Sequence, residues 1–178
     1  MAKKASVEIY RGQRSKEKRL LWGRFVLRPI QRHFKEKFYA LFAFRCFKCG
    51  VLTHPGGEQV ASNRCIDHHL PMALGGHLEP GNLVLLCRGC NERKLDQHPA
   101  DFYTQDELER LQPLLDKQVA LFDFTFDEDA WRKDPVAYLS GLGIPDDIVN
   151  RSLYDELSDD YEGWPEPSAF TFTISLKL

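Results

Sequence analysis

The chain has 178 residues, 43 % of them hydrophobic and 28 % charged. That is enough apolar material for a real core and excludes a chain disordered over most of its length. No apolar run approaches the roughly 20 residues that span a bilayer, and the basic N-terminus lacks the apolar stretch of a secretory signal, so a soluble, cytoplasmic protein is expected. The net charge of −2 conceals an asymmetry. Residues 1–50 carry 14 Lys and Arg against 3 Asp and Glu, whereas residues 101–178 carry 6 against 18. A basic N-terminal segment suits a polyanionic partner; a solvated helical surface is the plainer meaning of such a run.

In chain order, residues 1–13 read as extended or loose, with a short strand at Val7-Glu8-Ile9-Tyr10. Residues 16–27 suit a helix with Leu20, Leu21 and Phe25 on one side, interrupted by Pro29. A second helix is expected over 31–42, with Phe34, Phe38, Leu41 and Phe42 on its apolar face. The helical spacing of Trp22, Phe25, Phe34 and Phe38 points to core packing rather than base stacking. After a Gly/Pro loop at 54–57, residues 63–70 read as a strand, 75–82 as a loop of turn formers and 83–86 as a short buried strand. A helix is expected from Asn91, and Thr104-Gln105-Asp106-Glu107 has the form of a capping box opening another, which Pro113 would kink. Residues 121–126 and 169–178 alternate apolar with polar, as half-buried strands do, and a helix should begin at Pro145. The sequence shows no internal repeat and no low-complexity segment.

Four of the five cysteines form two pairs, Cys46-x-x-Cys49 and Cys87-x-x-Cys90, 37 residues apart. The odd count and short spacings argue against a disulfide framework and for thiolate ligation in a reducing compartment. Two such pairs can converge on one tetrahedral zinc, and four thiolates leave no open position, so this zinc is expected to be structural. Cys65, standing alone, is expected to be a buried strand residue rather than a further ligand.

Between the pairs lie Ile66-Asp67-His68-His69-Leu70-Pro71, then Gly75-Gly76, then Asn82-Leu83-Val84-Leu85-Leu86-Cys87, and after them Cys90-Asn91-Glu92-Arg93-Lys94. Over residues 38–96 this order resembles the zinc-bearing branch of the His-Asn-His (HNH, ββα-metal) endonuclease superfamily: Cys-x-x-Cys, Asp-His-x-x-Pro, a Gly-Gly loop, Asn-Leu, and Leu-Cys-x-x-Cys followed by His or Asn and a Lys. The resemblance implies an α+β fold, a small ββα-metal core stapled by the four-cysteine zinc. It also implies phosphodiester hydrolysis with one divalent ion and a histidine base, double-stranded DNA being the expected target. By resemblance, Asp67 and Asn91 would hold Mg²⁺ or Mn²⁺, His68 would be the general base, Asn82 would brace the loop and orient His68, and Lys94 would contact phosphate or pin its helix.

Many relatives have His where Asn91 stands, and an oxygen donor there suits Mg²⁺ or Mn²⁺. In some relatives a His-His pair is ligand then base, which would move the base to His69; Pro71 falls where Asp-His-x-x-Pro requires and favours His68. His33, His54, His77 and His98 have no supporting context and are expected on the surface. Arg11 and Arg14, in the basic stretch 11–19, and Arg93 and Lys94 are the candidate nucleic-acid contacts.

The expected division is a basic N-terminal extension (1–37), the nuclease core (38–100), and an acidic helical extension ending in a strand (101–178). Residues 127–178 are expected to form a folded appendage away from the DNA path, docking a protein partner or covering the basic segment when DNA is absent, with a solvated surface of no role as the equal alternative. The competing reading is a zinc-stabilised nucleic-acid-binding or protein-interaction module without turnover.

Overall fold

The computed structural model describes residues 2–53 and 64–150, with side chains from residue 13 onward. The loop expected at 54–57, His54 within it, the strand expected at 169–178 and its pairing with 121–126 lie outside the described residues.

The first helix, α1, spans Ala2–Gly23 and takes in the stretch expected to be a strand at 7–10. Four alternating residues are too few to outweigh a helical flank, and a helix satisfies its own backbone polar groups without a partner strand. The break after it falls at Gly23, not at Pro29. The proline sits in the first turn of α2 (Arg28–Leu41), where its missing N–H is not needed. Ile30, Phe34 and Phe38 repeat every fourth residue along α2 and are buried.

Two short strands follow, β1 (Arg64–His68) and β2 (Leu83–Cys87), paired antiparallel with Asp67 opposite Val84 and His68 opposite Leu83. Leu83, Val84, Leu85 and Leu86 are all fully buried, so β2 reads as a continuous apolar run because it is covered on both faces. Helix α3 (Arg88–Lys94) leaves β2 directly: it begins at Arg88 rather than Asn91, since the second cysteine pair is itself the strand end and the first turn of the helix. A one-turn α4 (Pro99–Phe102) leads to α5 (Gln105–Leu121). Its capping box is formed as expected, Thr104 and Glu107 satisfying each other's backbone N–H groups. Pro113 lies within α5 without ending it.

Residues 123–127 form no strand, which corrects the reading of 121–126. The alternation is nonetheless real as burial. Phe122 is buried and Phe124 half-buried because both enter an aromatic cluster with Trp22, Phe25, Phe34 and Phe38. Side chains alternating along an extended segment can pack on helices as well as on a sheet. Helices α6 (Glu128–Lys133) and α7 (Pro135–Gly141) follow, each capped by an aspartate (Asp127, Asp134), and a further helix opens after Pro145. Trp131, Leu139, Ile144 and Val149 belong to the same buried cluster as Leu21 and Phe25, so residues 127–150 are packed into the body of the protein. No helix among the described residues is long and apolar enough to cross a membrane.

The two-stranded sheet is too small to bury much surface alone, and two devices hold it. The four sulfurs of Cys46, Cys49, Cys87 and Cys90 lie within 4.8 Å of one another. The 3.7 Å between Cys49 and Cys87 is the edge of a tetrahedron whose centre is about 2.3 Å from each corner, the zinc–thiolate distance. Burial and the neighbouring thiols push Cys90 upward, so four thiolates this close need a cation between them. Arg93 donates to the Cys90 sulfur at 2.9 Å and offsets the surplus negative charge. The second device is Gln118 of α5, fully buried. Its carboxamide accepts from the N–H of Gly81 (3.0 Å) and of Leu83 (3.2 Å) and donates to the Leu83 carbonyl (2.7 Å).

Replacing Gln118 with Leu keeps the volume but strands those backbone groups, and is expected to lower unfolding free energy on the order of 3 kcal/mol; denaturant unfolding showing no loss would refute this account of β2. Purified protein should carry about one zinc per chain, and Cys87→Ser should lower the melting temperature and release the metal. Metal analysis of folded protein without zinc would overturn the assignment of these cysteines.

Candidate active site

Adjacent residues on a strand face opposite ways, and the end of β1 uses this to sort its two histidines. His68 is 7 % exposed and lines a cavity of about 400 Å³ together with Asp67 and, from α3, Asn91. His69, one residue on, stacks on Tyr103 (5.9 Å between ring centroids) and does not line that cavity. Burial, with the charges of Lys94 and His98, pushes its imidazole down to about 4, so it is neutral near pH 7. Cys65 is half-buried on β1 and lines the cavity wall, away from the four-cysteine cluster.

Lys94, at the last position of α3, is fully buried. Its ammonium donates to Asp67 Oδ2 at 2.9 Å and to the His68 carbonyl at 2.6 Å. It therefore pins α3 to β1 and does not reach the surface as a phosphate contact. With Oδ2 occupied, Asp67 keeps Oδ1, which is 4.0 Å from His68 Nδ1. The Asn91 carboxamide has no hydrogen-bond partner among the described residues. One carboxylate oxygen and one carboxamide oxygen facing a shared cavity form a hard donor set. That suits Mg²⁺ or Mn²⁺, which keep waters and substrate oxygens in their remaining positions.

Asn82 closes the loop between the strands. Its side chain accepts from the Leu70 N–H (2.7 Å) and donates to the carbonyls of Leu70 (3.1 Å) and His77 (2.7 Å), and its own carbonyl accepts from the His69 N–H (2.7 Å). The second glycine of Gly75-Gly76 is what allows this approach: a Cβ on Gly76 would stand 1.8 Å from the Leu70 carbonyl oxygen.

The wall opposite β1 comes from the N-terminal helices. Arg14, Lys18 and Trp22 of α1 and Lys35 and Tyr39 of α2 line the cavity with Arg64 of β1. Lys18, Lys35 and Arg64 were not singled out in the sequence, because their surroundings come from residues distant along the chain. Arg14 is exposed and 3.9 Å from Asp96, and Arg93 is turned to the four-cysteine cluster. Arg11 lies on α1, its side chain outside what is described. His98 caps α4, and His33 is half-buried rather than on the surface.

Glu17 is the site residue that sequence reading missed. It is 9 % exposed and accepts from His68 Nε2 (3.2 Å), His77 Nδ1 (3.0 Å) and the Leu78 N–H (2.9 Å). His77, set aside in the sequence, thus belongs to the surroundings of His68, and its imidazole is raised by the bond to Glu17. A signal was available. Glu17 is the sole acid between Glu8 and Glu36, and it sits four residues before Leu21 on the buried stripe of α1.

Searches of curated proteins and of solved structures return no match to this chain. A family model described as HNH endonuclease matches residues 56–107, under a third of the chain. Residues 56–107 are thus similar to HNH endonuclease domains, and the four cysteines gathered at metal-binding distance, two of them ahead of the matched segment, are consistent with the zinc-bearing kind.

Proposed function

We propose that the protein is a metal-dependent endonuclease that hydrolyses phosphodiester bonds in double-stranded DNA. The observation that carries this reading is the meeting of Asp67, His68 and Asn91 in one cavity edged by Arg14, Lys18, Lys35 and Arg64. A pure binding module needs the basic edge but has no use for a carboxylate, an unpartnered carboxamide and a buried imidazole at its centre.

In this reading Asp67 Oδ1 and the Asn91 carboxamide oxygen hold one Mg²⁺ or Mn²⁺. Bound there, such an ion stabilises charge on the phosphoryl and leaving oxygens. His68 takes the proton of the attacking water. Lys94 keeps Asp67 and the His68 backbone in place, and Asn82 holds the loop that follows them. The four cations at the edge position the phosphate backbone without reading sequence. Residues 101–178, strongly acidic, would repel that backbone and so offer a face for a protein partner rather than for DNA.

Plasmid nicking with Mg²⁺ or Mn²⁺ added, against an EDTA control, is the direct test. His68→Ala is expected to lower the rate by about 10²- to 10⁴-fold while DNA binding and melting temperature hold. Asn91→Ala should lower activity and metal dependence together. Asp67→Ala should do the same and also cost on the order of 3 kcal/mol of stability, since it leaves the Lys94 charge buried and unpaired. If His69→Ala is the dead variant and His68→Ala cuts normally, the base is His69. Failure of the wild-type protein to cut any DNA or RNA would favour the zinc-stabilised binding module.

A further inference from the structure

We propose that Glu17 is the positioning residue of His68: its carboxylate holds the imidazole in the Nε2–H form and so turns the Nδ1 lone pair toward Asp67 and the cavity. This rests on the reading of His68 as the base.

The contact is a built one. Around Glu17, residues Lys16, Lys18, Arg19 and Leu20 are exposed, and only the carboxylate turns inward. One of its oxygens, Oε2, is shared between His68 Nε2 and the Leu78 N–H, and the other takes His77 Nδ1. A carboxylate is acceptor-only when ionised, so the nitrogen facing it must carry the proton. Burial works against ionisation of Glu17, but the bonds from His77, the Leu78 N–H and His68 outweigh it and leave the acid below its ordinary range. The second ring nitrogen of His68 then bears the lone pair, 4.0 Å from Asp67 Oδ1. That is the nitrogen a water bound beside Asp67 would meet. The arrangement has the logic of a carboxylate that orients a histidine base without itself taking the proton.

Nothing on β1 or β2 supplies this partner. Among the described residues, the ring of His68 is hydrogen-bonded only to a residue 51 positions earlier in the chain, on a helix that also presents Arg14 and Lys18 to the same cavity. Docking of α1 would therefore complete the base and the phosphate-binding edge in one step. A simple tether between α1 and the 77–78 loop would need the bonds to His77 and Leu78 but not the one to the His68 ring.

The experiment uses full-length, zinc-loaded protein with ¹⁵N-labelled histidine. Long-range proton–nitrogen correlation spectra at neutral pH report which ring nitrogen of His68 carries the proton, the resonance being assigned by its loss in His68→Ala. The expected result is the Nε2–H form in the wild type and in Glu17→Gln, whose amide oxygen can still accept, and a mixture of forms in Glu17→Ala. An Nδ1–H form in the wild type, or an unaltered His68 signal in Glu17→Ala, overturns the proposal. In single-turnover cleavage, Glu17→Ala should lower kcat about 10- to 100-fold with KM within about twofold, and Glu17→Asp should restore part of it. Unchanged kcat in folded Glu17→Ala, with only the melting temperature lowered, marks a structural tether and also overturns it. If the wild-type protein cuts nothing, the nuclease reading falls, and the tautomer spectra still decide whether Glu17 sets the state of His68.

Discussion

A lysine with no access to water is tolerated only where its charge is met and its protons are taken up. Lys94 has its charge met by Asp67 and two of its three protons taken by Asp67 and the carbonyl of His68, and much of the site depends on that contact. It sets the distance between the end of α3 and the end of β1. With that distance set, Asn91, one turn earlier on α3, lines the same cavity as Asp67. The same ammonium holds the His68 carbonyl, while the ring is held separately by Glu17. A neutral side chain would leave Asp67 turned in without this counter-charge.

Lys94 acts at one end of α3 and the cysteines act at the other. A seven-residue helix is too short to be stable by itself. Its first turn carries Cys90, and its preceding residue is Cys87 at the close of β2. The partner pair, Cys46 and Cys49, sits on a knuckle tied to the sheet by the Phe47 N–H to the Leu85 carbonyl. The sulfur cluster and the buried ion pair therefore clamp α3 at both ends, and the residues between them inherit their orientation. This division sets the four sulfurs at one end of α3 and leaves Asp67 and Asn91 facing the cavity.

The sequence revealed those parts whose meaning is local. Two Cys-x-x-Cys pairs, the Asp-His-x-x-Pro run, the Gly-Gly loop and the capping box at Thr104 each carry their pattern within a few residues, and the structure forms the capping box and gathers the four cysteines. What escaped depended on distant partners. Val7 to Tyr10 alternates like a strand, yet the surrounding residues continue a helix. Phe122 and Phe124 fill gaps among the aromatic side chains of Trp22, Phe25 and Phe34, and Phe126 packs on Trp131 and Tyr138, so the three alternate without a strand beside them. Lys94 carried a motif but no sign of its burial, and Glu17 was hidden by the charges around it. A net count of basic residues treats one acid as noise, although a lone acid on the apolar stripe of a basic helix must be buried against a donor.

The charge asymmetry takes on a more specific meaning once α1 is seen against β1. Residues 13–20 are basic on the outside and acidic at one point on the inside, so a single helix presents Arg14 and Lys18 to the cavity and a carboxylate to an imidazole. These tasks conflict electrostatically, since an exposed carboxylate near the cavity would repel phosphate. Burial resolves the conflict: the Glu17 side chain is 11 % exposed and engaged by three donors, while Lys18 beside it is exposed. The negative charge is spent on neighbours within hydrogen-bond distance, and what reaches the solvent is the positive field of the lysines and arginines. The basic stretch 11–19 thus contributes Arg14 and Lys18 to the wall of the cavity that faces β1.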